Sequence, residues 1–436
     1  MSRQMKDSGI EWIGEIPETW NTDRLQWHLK EVKESNSPIR TENILSLTIE
    51  SGVIPYEDKG NQGNKAKENY EEYKLAFPDT LVVNSMNVII GAVGISKYFG
   101  CVSPVYYVFN ADGNTDLRYI YYLFTNVGFQ KEMRKYAKGI LEIRLRIAAS
   151  DMLRLQIPNP KKEEQKRIAD YLDQQCAHID AVIEKTKASI EEYKKLKQAV
   201  ITQAVTKGIR GDRPMKDSGI EWIGEIPADW NIVKGHRIIC STQNGLTRRD
   251  LEKSEGHIVL KLKNMNESGY IDYSEINKIE LTEREIETYR LVDGDFLFVR
   301  VNGSKKLVGK CAIYKDSGEI VAYNDHIIRV RLNDICCKDF FYWFLYSQVG
   351  KTEIELHTST AAGQFTISGE GLRDIYVVLP NAIEQKEISK YLIEKSLSID
   401  ELIIKKEQII EELESYRKSL IYEYVTGKKE VPQPCR

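Results

Sequence analysis

At 436 residues the chain is too long for one ordinary hydrophobic core and suits two to four domains. Hydrophobic content of 42% and charged content of 29% are typical of a globular protein, and no apolar run reaches the length of a membrane span. The formal net charge of −3 counts against a protein that is basic throughout, but it does not exclude nucleic-acid binding by a basic face.

The N-terminus and the cysteines favour a reducing compartment. The chain begins MSRQMKDSG, with no apolar signal segment. No cysteine forms a CxxC pair and no histidine cluster lies near one, so we expect reduced thiols, no metal site and a cytoplasmic protein. The cysteines are Cys101, Cys176, Cys240, Cys311, Cys336, Cys337 and Cys435.

A thirteen-residue segment, MKDSGIEWIGEIP, occurs at 5–17 and again at 215–227. Chance does not produce such a repeat, and each copy is followed by mixed sequence and then by a long charged stretch. We interpret the chain as two half-molecules in tandem, which suits a protein that grips duplex DNA, or another object with two-fold character, at two separated places. The nearby tryptophans are expected to be core or docking residues. They are Trp12, Trp20, Trp222 and Trp230.

After the repeated segment (1–17), residues 18–160 have the pattern of a mixed α/β domain, here called the first globe. β-prone runs at 80–96 and 102–110 alternate with turns, and 116–127 predicts a short amphipathic helix. Polar and basic residues in the first strand–turn–strand and near the end of the globe are candidates for DNA contacts. They are Asn84, Ser85, Asn87, Lys97, Arg144 and Arg146.

A long helix is predicted within 161–210. It follows the breaker IPNP (157–160), contains no proline or glycine from Gln165 to about Val205, and ends before Gly208. Its apolar residues recur at intervals of three and four, as in a coiled-coil seam. They are Ile168, Leu172, Ile179, Val182, Ile190, Tyr193, Leu196, Val200 and Ala204.

The second half repeats this order. The repeated segment (211–227) leads into the second globe (228–380), with β-prone runs at 294–315 and 326–333 and a helical stretch at 338–349. Because these elements occupy the same places in the order, we expect the two globes to share a mixed α/β fold.

The strongest binding signal is RVNGSKKLVGK, from Arg300 to Lys310, which contains no acidic residue. Its Asn-Gly pair favours a tight turn. Lysine neutralises DNA phosphates, whereas arginine, asparagine and glutamine form contacts with base edges. The candidates are Lys305, Lys306 and Lys310 for phosphates, and Arg300, Asn302 and Gln364 for bases, with Thr366 beside them. The alternative is a solvated hairpin without a ligand.

A second long helix is predicted within 381–428, from about Gln385 to Val425, before a short tail (429–436). Each long helix has one narrow apolar stripe and therefore one main partner. We expect the two to pair as an antiparallel coiled coil about a pseudo-two-fold axis; the alternative is that each packs on its own globe. The second stripe consists of Ile388, Leu392, Ile399, Leu402, Ile409, Leu413, Tyr416 and Leu420.

Motifs for catalysis are missing from the sequence. There is no P-loop, HExxH, GxSxG, Rossmann fingerprint or Asn-Pro-Pro-Tyr pocket, and SPVY (103–106) is interpreted as a strand edge. Pro78-Asp79 has no Glu-x-Lys partner nearby in the globe. EQK at 164–166 recurs at 384–386 and is interpreted as a helix start. We therefore expect no catalytic residue in this chain.

Three elements carry a family resemblance. They are GIEWIGEIPxxW, present twice; the globe-closing LRLQIPNPKKEEQKRIADYLD and LRDIYVVLPNAIEQKEISKYL; and DGDFLFVRVNGSKKLVGK with its looser counterpart FPDTLVVNSMNVIIGAVGIS. On these the chain resembles the specificity subunit of type I restriction-modification systems over nearly its whole length. The counterpart lacks the arginine of the second globe, so the base contacts of the first globe are less defined.

The resemblance implies a non-catalytic subunit whose globes are target recognition domains, each reading one half of a bipartite asymmetric site in double-stranded DNA. The long helices would set the spacer and dock two modification subunits. Those subunits would bring S-adenosylmethionine for adenine methylation, and restriction subunits would use ATP and Mg²⁺, so no cofactor is expected on this chain. Two other functions stay open: a scaffold or adaptor whose globes bind proteins and, against the missing motifs, a stand-alone nuclease or methyltransferase.

Overall fold

The computed structural model describes residues 3–60, 69–139, 145–248, 255–266, 269, 271–361 and 363–432. The chain divides into two compact units, Met1–Lys187 with Glu407–Arg436, and Ala188–Lys406. The first unit contains the first globe and the second unit contains the second globe. Each long helix contributes residues to both units.

The first unit is built around a four-stranded antiparallel sheet of order β4-β11-β8-β9, with smaller pairs β1-β2, β5-β6, β7-β10 and β3-β12. Its strands are β1 (Met5–Ile10), β2 (Gly14–Pro17), β3 (Asn21–Arg24), β4 (Leu29–Glu31), β5 (Leu45–Thr48), β6 (Gly52–Pro55), β7 (Lys74–Ala76), β8 (Leu81–Asn84), β9 (Val93–Ile95), β10 (Gly100–Val102), β11 (Tyr106–Ala111) and β12 (Gln156–Asn159). Its helices are α1 (Leu117–Thr125), α2 (Val127–Tyr136), α3 (Ala149–Leu153) and the start of α4 (Lys162–Lys207).

The central sheet of the first unit is covered on both faces, which explains the continuous apolar run in β8. Successive side chains of a strand point to opposite faces. Val82 packs with Leu47 and Val53 of the β5-β6 pair, whereas Leu81 and Val83 join the main core beside α1. The sheet is therefore the centre of the globe, and β8 is buried along its whole length.

The second unit has a central sheet of order β16-β23-β19-β21, two three-stranded sheets, β18-β17-β22 and β20-β25-β24, and the pairs β13-β14 and β15-β26. Its strands are β13 (Met215–Asp217), β14 (Glu225–Pro227), β15 (Asn231–Lys234), β16 (Ile239–Asn244), β17 (His257–Leu260), β18 (Lys278–Ile279), β19 (Phe296–Val299), β20 (Val301–Asn302), β21 (Cys311–Ile313), β22 (Val321–Tyr323), β23 (Ile327–Leu332), β24 (Thr358–Ala361), β25 (Gln364–Ile367) and β26 (Tyr376–Leu379). Its helices are α5 (Glu283–Tyr289), α6 (Lys338–Tyr346), α7 (Gln348–Leu356), α8 (Gly369–Asp374) and the start of α9 (Ala382–Val425).

The two globes share one fold, as the sequence predicts. Each central sheet places its first strand beside its last, and each globe is closed by a strand pair, β3-β12 or β15-β26, directly before a long helix. Even single hydrogen bonds recur: Asp112 donates its backbone N–H to the carbonyl of His28 at 2.9 Å, and Asn333 donates to Ile238 at 2.9 Å. Among the residues that the structure describes, the second globe adds α5 and the three-stranded sheet that contains β20.

The long helices pair antiparallel within each unit. In the first unit, Tyr171 of α4 lies 4.6 Å from Tyr424 of α9 between ring centroids, and Arg417 donates to Asp180 at 2.6 Å. In the second unit, Lys197 donates to Asp400 at 2.7 Å. Since residue numbers rise along α4 as they fall along α9, the predicted antiparallel coiled coil is confirmed.

The buried residues of the long helices differ from the predicted stripes. Ile183 and Ile201 of α4, which the stripe omits, are buried, whereas Leu196 is 49% exposed. On α9, Leu402, Ile409 and Tyr416 are also exposed. A two-helix pair covers only one side of each helix, so apolar residues beyond that seam stay at the surface.

The alternative packing also occurs, at the start of α4. Arg118 of α1 donates to Asp170 and Asp173 of α4 at 2.7 and 2.8 Å, and the Tyr122 hydroxyl donates to Asp173 at 2.7 Å. Leu172 is fully buried in the core of the first unit. The long helix therefore packs both on its own globe and on the other long helix.

The four tryptophans divide between core and docking positions. Trp20 and Trp230 are 1% and 0% exposed. Trp12 is half-buried and packs on Phe129, with ring centroids 5.9 Å apart. Trp222 is 42% exposed, and its indole N–H donates to the carboxylate of Glu353.

The described helices include none that is long and apolar enough to cross a membrane. Within the described ranges the cysteines are free thiols, and Cys435 lies outside those ranges. The same ranges hold no group of three or more histidine, cysteine or acidic side chains placed to bind a metal ion.

Candidate nucleic-acid interface

The second globe presents a basic loop, residues 303–310, between β20 and β21. Its base is closed by the backbone N–H of Val299, which donates to the carbonyl of Lys310 at 2.8 Å. Asn302 accepts the backbone N–H of Ser304 at its Oδ1 atom, 2.9 Å away. The Asn-Gly pair therefore starts a wide loop and not the predicted tight turn, because β20 leaves the central sheet and pairs with β25.

The predicted phosphate-binding lysines lie on this loop. Lys305 and Lys306 are exposed, and Lys310 is half-buried. The Lys305 ammonium lies 3.6 Å from the carboxylate of Glu355, with both side chains at the surface. An exposed ion pair of this kind contributes little free energy, so a phosphate can replace the carboxylate.

A further lysine, Lys351 of α7, belongs to the same positive region. Burial lowers the pKa of the Lys351 ammonium, and nearby Lys310 lowers that pKa further. Lys351 donates to Oε1 of Gln198 on α4 at 2.5 Å. The positive region of the second globe therefore extends from the basic loop to α7.

A three-stranded sheet joins the two predicted segments of the second globe. β25 pairs with β20, placing Thr366 opposite Val301, and it also pairs with β24, placing Thr366 opposite Ser359. We call the β24-β25 hairpin the ribbon. The structure thus brings Gln364 and Thr366 beside the strand that leads into the basic loop.

The candidate base-reading residues lie on two different faces of this sheet. Residues opposite each other share a face, and neighbours along a strand alternate. The outer face holds exposed Gln364 and half-buried Thr366, whose Oγ1 lies 3.0 Å from Oγ of Ser359. Asn302 is opposite Phe365 on the other face, where Phe365 packs against the core.

Arg300 is held by its own globe. Its guanidinium Nη1 donates to the carbonyl of Asp325 at 3.0 Å, and its backbone N–H donates to the carbonyl of His326 at 2.8 Å. Its carbonyl accepts the N–H of Ile367 from the ribbon at 3.0 Å. Arg300 therefore links the central sheet to the ribbon.

The first globe repeats this link at matching positions. The N–H of Ile147 donates to the carbonyl of Ser85 at 3.1 Å, as Ile367 does to Arg300. Arg146 is exposed and forms a backbone bridge with Lys138. The neighbouring Arg144 lies outside the described residues.

The other candidates of the first globe do not form one surface. Asn84 and Ser85 are 6% and 0% exposed, and Asn84 Oδ1 accepts the N–H of Met86, so both side chains are buried and Asn84 shapes the turn from inside. Asn87 is exposed at that turn. Lys97 is exposed too, but it follows β9 at the opposite end of the β8-β9 hairpin, since Leu81 pairs with Ile95.

Sequence reasoning missed Ser359 and Lys351. The β-prone segments TST and QFTI on either side of a glycine were the available signal for Ser359, because they predict a hairpin and the alternation in QFTI predicts one polar face. Lys351 gave no comparable signal, since its place beside Lys310 depends on how α7 packs.

The carboxylates at the helix starts have structural partners. Glu164 accepts Arg3 at 2.6 Å. Glu384 is fully buried and accepts Arg213 as well as the indole N–H of Trp230 at 2.9 Å. These bonds hold the N-terminal end of each long helix and agree with the interpretation of EQK as a helix start.

A family model described as the type I restriction modification DNA specificity domain matches residues 22–192 and 249–415, well over half of the chain. The chain belongs to this family. Each half of the chain supplies one match to the specificity domain, comprising a globe and part of a long helix.

Members of the specificity family are similar to the chain over different lengths. The EcoKI specificity subunit of Escherichia coli (strain K12) is 31% identical over 239 residues, which cover 54% of this chain and 49% of that protein. The MjaVIII specificity subunit of Methanocaldococcus jannaschii is 25% identical over 426 residues, 95% of this chain and 93% of that protein. The chain thus spans about half the length of the first of these curated relatives and nearly all of the second.

A solved structure shows the same fold. It comes from work on complex assembly and conformational transition of the type I R-M system, and it superposes with a TM-score of 0.70 at 13% identity. The match covers 95% of this chain and 99% of the other. The two-globe specificity fold with long helices is therefore shared despite low sequence identity.

Proposed function

We propose that this chain is the DNA-recognition subunit of a type I restriction-modification complex, in which each globe reads one half of a bipartite asymmetric site. The observation that carries the proposal is the match of the specificity family to both halves of the chain. The chain itself would be non-catalytic and cytoplasmic.

The DNA contacts would be of two kinds, lysine contacts with phosphates and polar contacts with base edges. Lys305, Lys306 and Lys310 would neutralise phosphates, which gives affinity without sequence preference. Polar side chains at the ribbon of the second globe and around Asn87 and Arg146 of the first globe would meet base edges in the major groove. Support comes from the exposure of these groups and from the matched backbone links in both globes.

The long helices would fix the distance between the two half-sites. α4 has 46 residues and α9 has 44, so each is roughly 65–70 Å long at 1.5 Å per residue. Half-sites read from one side of a duplex are separated by about one turn, 34–36 Å. A pair of stiff helices of this length suits a fixed spacer of that order.

Partner subunits would supply the chemistry. Two modification subunits would dock on the helix pair, where Leu196, Leu402, Ile409 and Tyr416 are exposed. These partners would bind S-adenosylmethionine, and restriction subunits would use ATP and Mg²⁺. The proposed division is a repeated segment (1–17), target recognition domain 1 (18–160), spacer helix 1 (161–210), a repeated segment (211–227), target recognition domain 2 (228–380), spacer helix 2 (381–428) and a tail (429–436).

Mapping methylated adenines genome-wide in cells with and without the chain tests the proposal. We expect one bipartite motif to lose methylation when the chain is removed. Replacing residues 228–380 by the corresponding globe of another family member should change one half of the motif and keep the other. An unchanged methylation map would contradict the proposal and favour a protein-binding scaffold.

A further inference from the structure

We infer that the second globe reads bases with the outer face of its ribbon, through Ser359, Gln364 and Thr366, and that the basic loop only holds phosphates. The inference rests on the proposed function as a DNA-recognition subunit. It adds Ser359 to the reading residues and removes Arg300 and Asn302 from them.

The outer face of the ribbon is polar and projects from the globe. Ser359 and Gln364 are exposed, while Ile367, on the other face, is 1% exposed and fixes that face against the core. At the tip, Gly363 has a φ of +77°, and among the described residues no atom lies within 4 Å of the place where a Cβ would stand. Gly363 therefore faces open space at this end of β25.

The dimensions of the ribbon fit the major groove of B-DNA. Two paired strands lie about 4.8 Å apart. The major groove is about 12 Å wide and admits a two-stranded ribbon, and some DNA-binding proteins read it with strands. A ribbon inserted tip first would place its outer face along the base edges.

The charge distribution around the ribbon also favours its insertion into the major groove. Residues 357–369, HTSTAAGQFTISG, contain no acidic side chain, and neither do residues 300–310. The ribbon is joined through β20 to the basic loop with Lys305 and Lys306. Phosphates that flank the groove would therefore meet ammonium groups while the ribbon meets the bases.

The chemistry of the outer face selects the kind of base. A glutamine carboxamide forms a bidentate pair with N6 and N7 of adenine, and serine and threonine hydroxyls donate or accept as the base requires. The 3.0 Å contact between the hydroxyls of Ser359 and Thr366 holds both in place before DNA binds. We therefore assign an A·T pair to Gln364, with Ser359 and Thr366 contacting an adjacent base.

Arg300 and Asn302 already form hydrogen bonds within the second globe. The Arg300 guanidinium donates to the carbonyl of Asp325, and Asn302 Oδ1 accepts the N–H of Ser304. A bidentate base contact of Asn302 would share the Oδ1 atom that accepts from Ser304, and the bond from Nη1 to the carbonyl of Asp325 turns the Arg300 guanidinium towards its own globe. Their role is to position the ribbon and the basic loop.

The test uses the full chain, co-expressed with its modification subunit, and duplexes selected by the wild-type complex from a randomised pool. Gln364→Ala should lower discrimination at one A·T pair by about tenfold or more, and Gln364→Glu should shift the preference there towards cytosine, whose N4 amino group donates to a carboxylate. Ser359→Ala and Thr366→Val should weaken binding to the selected duplex and leave the salt dependence unchanged.

Matched controls come from the same sheet. Thr360→Ala changes a threonine on the opposite face of the ribbon, and Asn302→Asp keeps the acceptor for Ser304 while removing the amide donor. Both should select the wild-type sequence. The inference is overturned if Arg300→Lys or Asn302→Asp relaxes the base preference while Gln364→Ala and Ser359→Ala leave it unchanged. A wild-type complex that selects no sequence would instead overturn the proposed function.

Discussion

Trp222 donates its indole N–H to the carboxylate of Glu353 at 2.6 Å, and this carboxylate is fully buried. Glu353 also accepts the backbone N–H of Tyr376 at 2.8 Å. The second copy of the repeated segment is thereby fastened to α7. The first copy, identical in sequence, is fastened differently, because the indole N–H of Trp12 has no hydrogen-bond partner among the described residues.

Trp222→Phe is expected to lower the free energy of unfolding more than Trp12→Phe. Only the first substitution leaves a buried carboxylate oxygen without its donor. The difference should be about 1–3 kcal/mol. Urea unfolding of the two variants measures it, and equal costs would contradict the assigned role of Glu353.

Because its side chain is buried, His28 is expected to lower the folding stability of the chain in mild acid. It is 6% exposed, with Nδ1 2.8 Å from the hydroxyl of Thr115. Burial lowers the pKa of His28 below its ordinary 6.5, although Asp23 and Asp112 raise that pKa in part. The unfolded chain therefore binds the proton more readily than the folded chain. The stability contributed by neutral His28 is complete above about pH 6.5 and falls as the pH drops towards the pKa of His28 in the folded chain.

The variant His28→Ile should flatten this pH dependence, since the second globe has Ile238 at the matching position. Urea midpoints recorded between about pH 7.5 and 5.5 would show it. His326→Gln, at an exposed histidine, is the control and should keep the wild-type slope. A variant lacking His28 that still loses stability as the wild type does would contradict the explanation.

The sequence predicted the repeat, the long helices and the shared fold of the globes because these depend on local periodicity and on direct self-similarity. It could not place Asn84 and Ser85, since a strand covered on both faces gives no alternating pattern to separate buried from exposed residues. It grouped Lys97 with the turn residues, although the fold of the hairpin takes Lys97 to the other end. The ribbon joins β20 to a segment far along the chain, and such a register is set by packing.

Lys305→Ala and Lys306→Ala are expected to weaken binding to every DNA sequence. Each removes a cation that would release counterions from the duplex, so the slope of log K against log salt should fall by about 0.9 per lysine. Filter binding or fluorescence anisotropy at several salt concentrations measures the slope. Lys315→Ala is the matched control, since Lys315 is exposed at the other end of the β19-β21 pair and should leave the slope unchanged. Loss of sequence preference without a change of slope would contradict a phosphate role.

The antiparallel pairing of the long helices predicts how the spacer can be lengthened. Asp180 meets Arg417 within the first unit and Lys197 meets Asp400 within the second unit, so matched insertions can be placed near Ser189 of α4 and near Gln408 of α9. Seven extra residues at both points keep the seam in register and add about 10 Å to the pair. We expect methylation mapping to show a spacer longer by at most about three base pairs, at about 3.4 Å per base pair, with both half-sites unchanged. The same insertion in α4 alone breaks the register beyond Ser189 and should lower stability. Altered half-sites with an unchanged spacer would show that the helices do not measure the distance.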